Sequence, residues 1–473
     1  MLTGKTLKAR GWPEGKIIGL AKAAVQKMEA AGHDEADILE RLDKVRENPS
    51  EYLATPLFAD LAQETIRRTK VETSRSNDTL RDEPLEFQTW GADGIDFGAV
   101  EQMRHAMTLP VAVAGALMPD AHIGYGLPIG GVLATAGTVI PYAVGVDIAC
   151  RMKLSIYPLS PQVLGQKPVF AKALNDWTRF GRGCEWSGKE RPDHEVLDDS
   201  AWKATRLLRS LQGKAREQLG TSGTGNHFVE WGSFKLDKFS PDLNLEAGEY
   251  LALLSHSGSR GVGFKIANEY SKIARDLHPK LENVVRHLAW LDLDSEAGIE
   301  YWISMELAGR FASANHAMIH QRVAKAAGVQ SVATVENHHN FAWRETLEDG
   351  SEAVVHRKGA TPAGEGVLGV IPGSMADAGY VVRGRGVASS INSASHGAGR
   401  KMSRRAANEA VTKTMRDRYL QERGVQLLGG GLDESPQAYK DIEEVIAAQR
   451  DLVEVIGQFA PRIVRMADEP GDV

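Results

Sequence analysis

The chain has 473 residues, 42% hydrophobic and 25% charged, with a formal net charge of −6. That is an ordinary globular composition with room for one to three domains, and no apolar run reaches the ~18–20 residues of a membrane span. The acidic balance excludes a protein that coats nucleic acid non-specifically, and two cysteines exclude a disulfide framework. With no signal-peptide pattern in MLTGKTLKARGW, a reducing, cytoplasmic setting is expected.

Residues 1–85 read as a small helical appendage and linker. Ile17, Ile18, Ala21, Val25 and Met28 recur at helical spacing before Gly32, and further periodic stretches cover residues 35–45 and 57–66. The charged stretch 72–83 lacks periodicity and reads as the linker, ending at Pro84. Beyond it, VAVAGALM (111–118), TVIPYAVGV (138–146), YLALLSH (250–256) and SVATVE (331–336) are short apolar runs bounded by turn residues and are expected to be strands. Residues 296–327, 400–419 and 438–456 are expected to be helices. Regular βαβ alternation is missing, so the fold class is α+β rather than a doubly wound sheet.

Six histidines sit in loops of small residues: His122 in HIGYG, His227 in GTGNHFVE, His256 in SHSGSRG, His339 in NHHNFA, His356 in HRKGA and His396 in SHGAGRKMSRR. Such backbone turns tightly and approaches a ligand closely. Asp147 and Cys150, in VGVDIAC, are expected to end a buried strand. A carboxylate, a thiolate and several imidazoles together suit a divalent transition metal; the plainer reading is a structural cysteine beside a turn-forming aspartate. Asn226 and Glu230 flank His227 with groups that read a nucleotide, and Ser257, Ser259 and Arg260 follow His256 as phosphate donors; each loop alone also reads as a polar hairpin turn. His338 and His339 point to opposite sides of extended chain, so one of them faces the site. His356, Arg357 and Lys358 offer charge for phosphate, and Gly373 and Ser374 a turn around a ribose or phosphate. His396, expected just before a helix, reads either as a neutral nucleophile toward phosphorus at an anion-binding helix N-terminus or as a capping histidine. His316 and His320 have chelating i, i+4 spacing but lack the metalloprotease glutamate, and are expected to serve helix packing or the surface.

Taken in order, MPDAHIGYGLPIGG, VIPYAVGVDIAC, GTGNHFVE, SHSGSRG, HHN, HRKGAT, IPGSM, SHGAGRKMSR and AYKDIEEV span roughly residues 115–445. In this set the chain resembles the RtcB family of RNA ligases, which use GTP and manganese. The resemblance implies an RtcB-like domain over residues 86–473, built around a central metal cleft. Asp147, Cys150, His227, His256 and His339 would ligate two manganese ions, with Cys150 bridging, and His396 would take GMP covalently. The nucleotide would be contacted by Asn226, His227, Phe228, Val229, Glu230, His339, Asn340, Pro372, Gly373, Ser374, Met375, the loop His396, Gly397, Ala398 and Gly399, and Tyr439. The implied partner is RNA with a 3′-phosphate or 2′,3′-cyclic phosphate and a 5′-hydroxyl, in RNA repair or tRNA splicing, away from membranes.

Three departures from the family pattern stand out. Met466 or Arg465 stands where a nucleotide-contacting lysine is common, Ala149 and Arg151 flank Cys150 so that a bulky cation is expected beside the metal, and Gly379 replaces a serine. These departures motivate an alternative enzyme that caps RNA 3′ ends with a nucleotide, or opens cyclic phosphates, without sealing. A non-catalytic binding protein that keeps the metal for structure is the remaining reading.

Overall fold

A computed structural model describes residues 2–12, 16–53, 55–66 and 78–468. The chain divides into two compact units, Met1–Thr79 and Leu80–Val473. In the first, helices Gly4–Ala9, Lys16–Ala30 and Glu35–Glu47 bury Leu7, Trp12, Val25, Met28, Leu42 and Val45 in a core of their own. Asp34 opens the third helix by accepting from the Asp37 N–H, which satisfies one orphan amide of the first turn. Residues 72–77 of the expected linker lie outside the described residues.

The second unit is mixed α+β. Its larger sheet runs, in spatial order, Leu368–Ile371, Gly379–Gly384, Val453–Met466, Phe228–Leu236, Gly248–Ser257, Arg151–Tyr157 and Ala333–His338, with antiparallel neighbours throughout. Gln426–Leu427 pairs in parallel with Val453–Met466 off this path. A second sheet orders Gln88–Thr89, Ala112–His122, Ile129–Thr135, Glu352–Lys358 and Phe341–Thr346. The helix Glu296–Ala327 forms over the expected residues. The Ser295 hydroxyl caps its start and Gly328, at φ 70°, ends it in the left-handed conformation glycine tolerates.

Three expected elements come out differently. In residues 138–146 only Thr138–Val139 is strand; Pro141 starts a helical turn, Pro141–Val144, where its missing N–H costs nothing. Asp147 and Cys150 therefore sit in a loop before the strand Arg151–Tyr157, not at a strand end. Residues 400–419 hold two helices, Arg404–Ala410 and Lys413–Glu422, because the Ser403 and Thr412 side chains each cap a new start. Residues 438–456 give a short helix, Ile442–Ala447, and then the long strand Val453–Met466, whose ladders on both sides override the helical spacing.

Arg357 does not face a ligand. It is fully buried, forks onto both Glu345 carboxylate oxygens at 2.6 and 3.0 Å, and donates to Ser393 Oγ at 2.7 Å and the Ile391 carbonyl at 2.9 Å. His356 accepts from the Ile140 N–H at 2.9 Å and donates to the Leu133 carbonyl at 3.0 Å, so both ring nitrogens are used inside the fold. Removing one partner of a buried ion pair strands the other charge. Glu345→Ala is thus expected to lower the unfolding free energy by about 3–5 kcal/mol in denaturant titrations; a loss below ~1 kcal/mol would show that solvent replaces the carboxylate.

Candidate active site

Four neighbouring strands deliver the metal candidates to one rim of the larger sheet. His227 precedes Phe228–Leu236, His256 lies near the end of Gly248–Ser257, Cys150 precedes Arg151–Tyr157, and His339 follows Ala333–His338. Antiparallel pairing puts those starts and ends side by side: Phe228 and Met152 both face His256 across the ladders, and Arg151 faces His338. Alternation then sends Cys150 and His256 to one face and Arg151 to the other. Arg151 pairs with Glu336, which also binds Lys153 at 2.7 Å and Ser313 at 2.8 Å, so the cation expected beside the metal is turned away and neutralised.

At the rim, Cys150 Sγ lies 3.1 Å from His256 Nε2 and 3.4 Å from His227 Nε2. His227 Nε2 is 3.0 Å from Asp147 Oδ2, and His256 Nε2 is 3.2 Å from His339 Nε2. The tautomers follow from the outer nitrogens. His227 Nδ1 is 2.8 Å from the Ser222 carbonyl and His256 Nδ1 is 3.1 Å from the Asn226 carbonyl. A carbonyl only accepts, so both Nδ1 atoms carry a hydrogen and both Nε2 atoms point inward. Burial lowers His256 to about 3 and His339 well below the usual imidazole range, so neither is an imidazolium. Burial raises Asp147, but His227 and Arg260 outweigh it and hold the carboxyl below its ordinary value. Sulfur, nitrogen and oxygen donors thus converge at one point. The Cys150, His227 and His256 donor atoms all lie within 4.8 Å of one another. This donor set fits a divalent metal ion, with carbonyls orienting the imidazoles from behind.

His396 approaches from the other sheet's side, after the short strand Ser393–Ser395. Its ring centroid is 4.7 Å from that of His339. The next helix begins only at Arg404, so His396 has no helix N-terminus behind it. Its orientation comes instead from Asp120, whose Oδ2 accepts from His396 Nδ1 at 2.7 Å and from the His396 N–H at 3.2 Å. Asp120 is fully buried where the pairing of Ala112–His122 with Ile129–Thr135 shifts register, and Lys440 pins that segment by donating to the Pro119 and Ala121 carbonyls at 3.0 and 2.8 Å. With Nδ1–H committed to a carboxylate, Nε2 keeps a free lone pair. Sequence reading passed over Asp120; the signal available was an acid two residues before His122 in a glycine-rich loop.

His396 lines a cavity of about 930 Å³ together with His122, Asn226, Phe228, Pro372, Gly373, Ser374, Met375, the Gly397–Gly399 turn and Tyr439. Met466, where the family lysine is expected, lies in this wall, while Arg465 turns away to the Leu428 carbonyl at 2.7 Å. The cationic side carries Arg400, Lys401, Arg404 and Arg405. Arg404 is held by Asp433 at 2.8 Å and Glu434 at 2.7 Å, and Arg400 by Glu434 at 3.0 Å. Val229, Glu230 and Asn340 are not in the wall. Val229 packs with Trp231 under the long helix. Glu230 shares the face of Phe228 but is buried, and burial raises its carboxyl well above the usual range. The Asn340 amide accepts from the Gly359 N–H at 2.8 Å and donates to the Asp147 carbonyl at 3.4 Å, joining two loops. Ser257 and Ser259 donate to the Ser222 and Ile148 carbonyls at 3.0 and 2.6 Å, so neither serves as the expected phosphate donor. Lys358 is buried, donates to the Tyr125 carbonyl, and is lowered to about 7 by desolvation. His338 packs against Phe341 and Trp343, away from the site.

The Cys150 thiol is the one donor whose proton must leave, since burial, reinforced by Asp147, raises it well above its ordinary value. Binding of a divalent ion should release that proton, so affinity should rise about tenfold per pH unit over the range in which the free thiol stays protonated. Titration with Co(II) at several pH values, with Cys150→Ser as the control, measures this; a pH-independent affinity would remove Cys150 from the ligand set.

Residues 102–467 match the family model described as tRNA-splicing ligase RtcB. "RNA-splicing ligase RtcB" of Escherichia coli (strain K12) is 33% identical over 405 residues, covering 80% of this chain and 96% of the relative. "RNA-splicing ligase RtcB1" of a second Escherichia coli strain, ATCC 25922, matches at the same identity and coverage. "tRNA-splicing ligase RtcB" of Thermococcus kodakarensis is 30% identical over 419 residues, covering 73% of this chain and 86% of the relative. With a buried rim of metal donors, a carboxylate-held histidine beside it and matches of this length, the chain belongs to the RtcB family.

Proposed function

We propose that this chain is a cytoplasmic RNA ligase that joins a 3′-phosphate or 2′,3′-cyclic phosphate end to a 5′-hydroxyl end, using GTP and two manganese ions, in RNA repair or tRNA splicing. The observation that carries the proposal is His396: an imidazole held at Nδ1 by buried Asp120, its Nε2 unclaimed, beside the donor cluster and in the wall of a cavity with a cationic side. Asp147, Cys150, His227, His256 and His339 would hold manganese. When bound, manganese supplies positive charge that neutralises the phosphates.

The chain's own groups do the following. His396 Nε2 attacks the α-phosphorus of GTP; a P–N bond forms, the bond to the bridging oxygen breaks, and pyrophosphate leaves with that electron pair. Asp120 keeps the Nδ1 proton and stabilises the cationic ring. An oxygen of the RNA 3′-phosphate then takes GMP from His396, the P–N bond breaks, and the neutral imidazole returns. The resulting anhydride has GMP as a leaving group, so the 5′-hydroxyl attacks the RNA phosphorus, loses its proton and releases GMP. A cyclic phosphate is first opened by water. Arg404, fixed through Nη1 by Asp433 and Glu434, would face these phosphates as a prepositioned cation.

Incubation with α-labelled GTP and Mn(II) should leave acid-labile label on the native chain and none on His396→Ala. Asp120→Asn keeps the shape but removes the charge, and should slow labelling by roughly 10²–10⁴-fold. Labelling of His396→Ala would sink the assignment of the nucleophile. A native chain that labels yet never joins cleaved RNA would sink the sealing step alone.

A further inference from the structure

Behind the rim, the long helix Glu296–Ala327 carries three polar residues on two successive turns with no surface to serve. Asn315, His316 and His320 are buried, in a helix otherwise packed by Tyr301, Phe311 and Ile319. Their hydrogen bonds run to the backs of the strands that carry the metal donors. His316 Nε2 is 3.0 Å from the Ser257 carbonyl, and His316 Nδ1 is 2.7 Å from Ser255 Oγ. Ser255 Oγ is 2.8 Å from His320 Nε2, and His320 Nδ1 is 2.8 Å from Ser155 Oγ.

One carbonyl fixes every proton in this chain. The Ser257 carbonyl only accepts, so His316 Nε2 donates to it and His316 Nδ1 must accept. Ser255 then donates to His316 and accepts from His320 Nε2, and Ser155 donates to His320 Nδ1. Burial keeps both imidazoles far below their usual range, as neutral rings with one donor and one acceptor each. The direction runs from Ser155 on one metal-bearing strand, through the helix, to the two residues that flank His256 on the next. Asn315 completes the grip. Its Oδ1 accepts from the Gly220 and Thr221 N–H groups at 2.7 and 3.1 Å, and its Nδ2 donates to the Thr221 carbonyl at 2.9 Å. The next carbonyl, Ser222, is the one that orients His227.

We infer that Asn315, His316 and His320 are positioning residues for the metal centre: they hold Ser255, Ser257 and the Gly220–Ser222 turn, and so aim His256 and His227. Rigid outer partners of metal ligands set affinity as well as orientation. The inference rests on reading the rim as a metal site.

The test is metal binding by the full chain at a temperature where each variant is folded by circular dichroism. Mn(II) affinity is read from the free-ion electron paramagnetic resonance signal, and Co(II) geometry from the thiolate charge-transfer band. Ser255→Ala, a small change, and His316→Phe should each weaken Mn(II) binding by about 10–100-fold and alter the cobalt band. His316→Gln, which retains a donor and an acceptor, should bind closer to native than His316→Phe. If the native chain binds both ions and the variants match it in affinity and spectrum, the inference alone is overturned. If the native chain binds neither ion, the metal reading falls and the inference falls with it.

Discussion

The structure is organised around a cluster of donor atoms that it holds in place. Asp147, Cys150, His227, His256 and His339 bring sulfur, nitrogen and oxygen atoms to separations of 3.0–3.4 Å at one rim. Such groups would drift apart in water, where each finds its own hydrogens. Four antiparallel strands with fixed register do not let them drift, and carbonyls on the far side of two imidazoles stop those rings from rotating. The loops that complete the rim are strained as well. Ala149 and Asn340 take φ of 55° and 58°, and the Ala149 N–H donates to the Asn340 carbonyl at 2.8 Å, tying the Cys150 loop to the His339 loop. Alanine in that region costs about 1–2 kcal/mol relative to an ordinary backbone conformation.

Placing that rim against a nucleophile needs both sheets. The larger sheet supplies the metal donors; the smaller one supplies Asp120 from a register shift and Lys358 from the end of Glu352–Lys358. His396 lies between them, just after a short strand paired with Ala360–Pro362. The approach is close enough that a Cβ on Gly359 would fall 2.2 Å from Ile129 Cγ2 and 3.2 Å from His396 Cε1. Glycine at 359 is therefore a packing requirement of the junction, independent of any ligand.

Much of this was legible in the sequence, for reasons that separate by residue. Local signals read well: the long helix forms over the expected residues 296–327, between a serine cap and a terminal glycine. The histidines between glycines and serines stood out because turn residues around an imidazole are chemically unusual. What failed was whatever depends on partners distant in sequence. Val453–Met466 has helical apolar spacing at its start and becomes a strand because Gly379–Gly384 and Phe228–Leu236 flank it. His396 was placed at a helix start on the strength of two glycines and a basic run; the group that orients it, Asp120, lies 276 residues away. His356 and Arg357 looked like phosphate ligands because a basic run in a strand carries no sign of which side is buried. His316 and His320 were assigned to packing or surface. They are packed, but through polar bonds whose partners, Ser155, Ser255 and Ser257, look like ordinary strand residues.

The departures in sequence take on physical content once placed. Arg151 is harmless to the metal rim because alternation turns it to the opposite face, where Glu336 receives it. Met466 changes the cavity more. It joins Met375, Val464 and Phe228 in one apolar cluster, and Arg465 is engaged with Leu428 and Asp468, so neither residue brings positive charge to that wall. Among the described residues of the cavity wall, arginine and lysine instead gather in the segment 400–405 and at Lys440, two of the arginines braced by buried acids. The cavity wall therefore combines thioethers and a phenyl ring with guanidinium groups. An apolar wall of thioethers and a phenyl ring attracts a flat ring through dispersion and sulfur–aromatic contact, without requiring a charge match. Arg404, already fixed at Nη1 by Asp433 and Glu434, loses little freedom when it meets an anion.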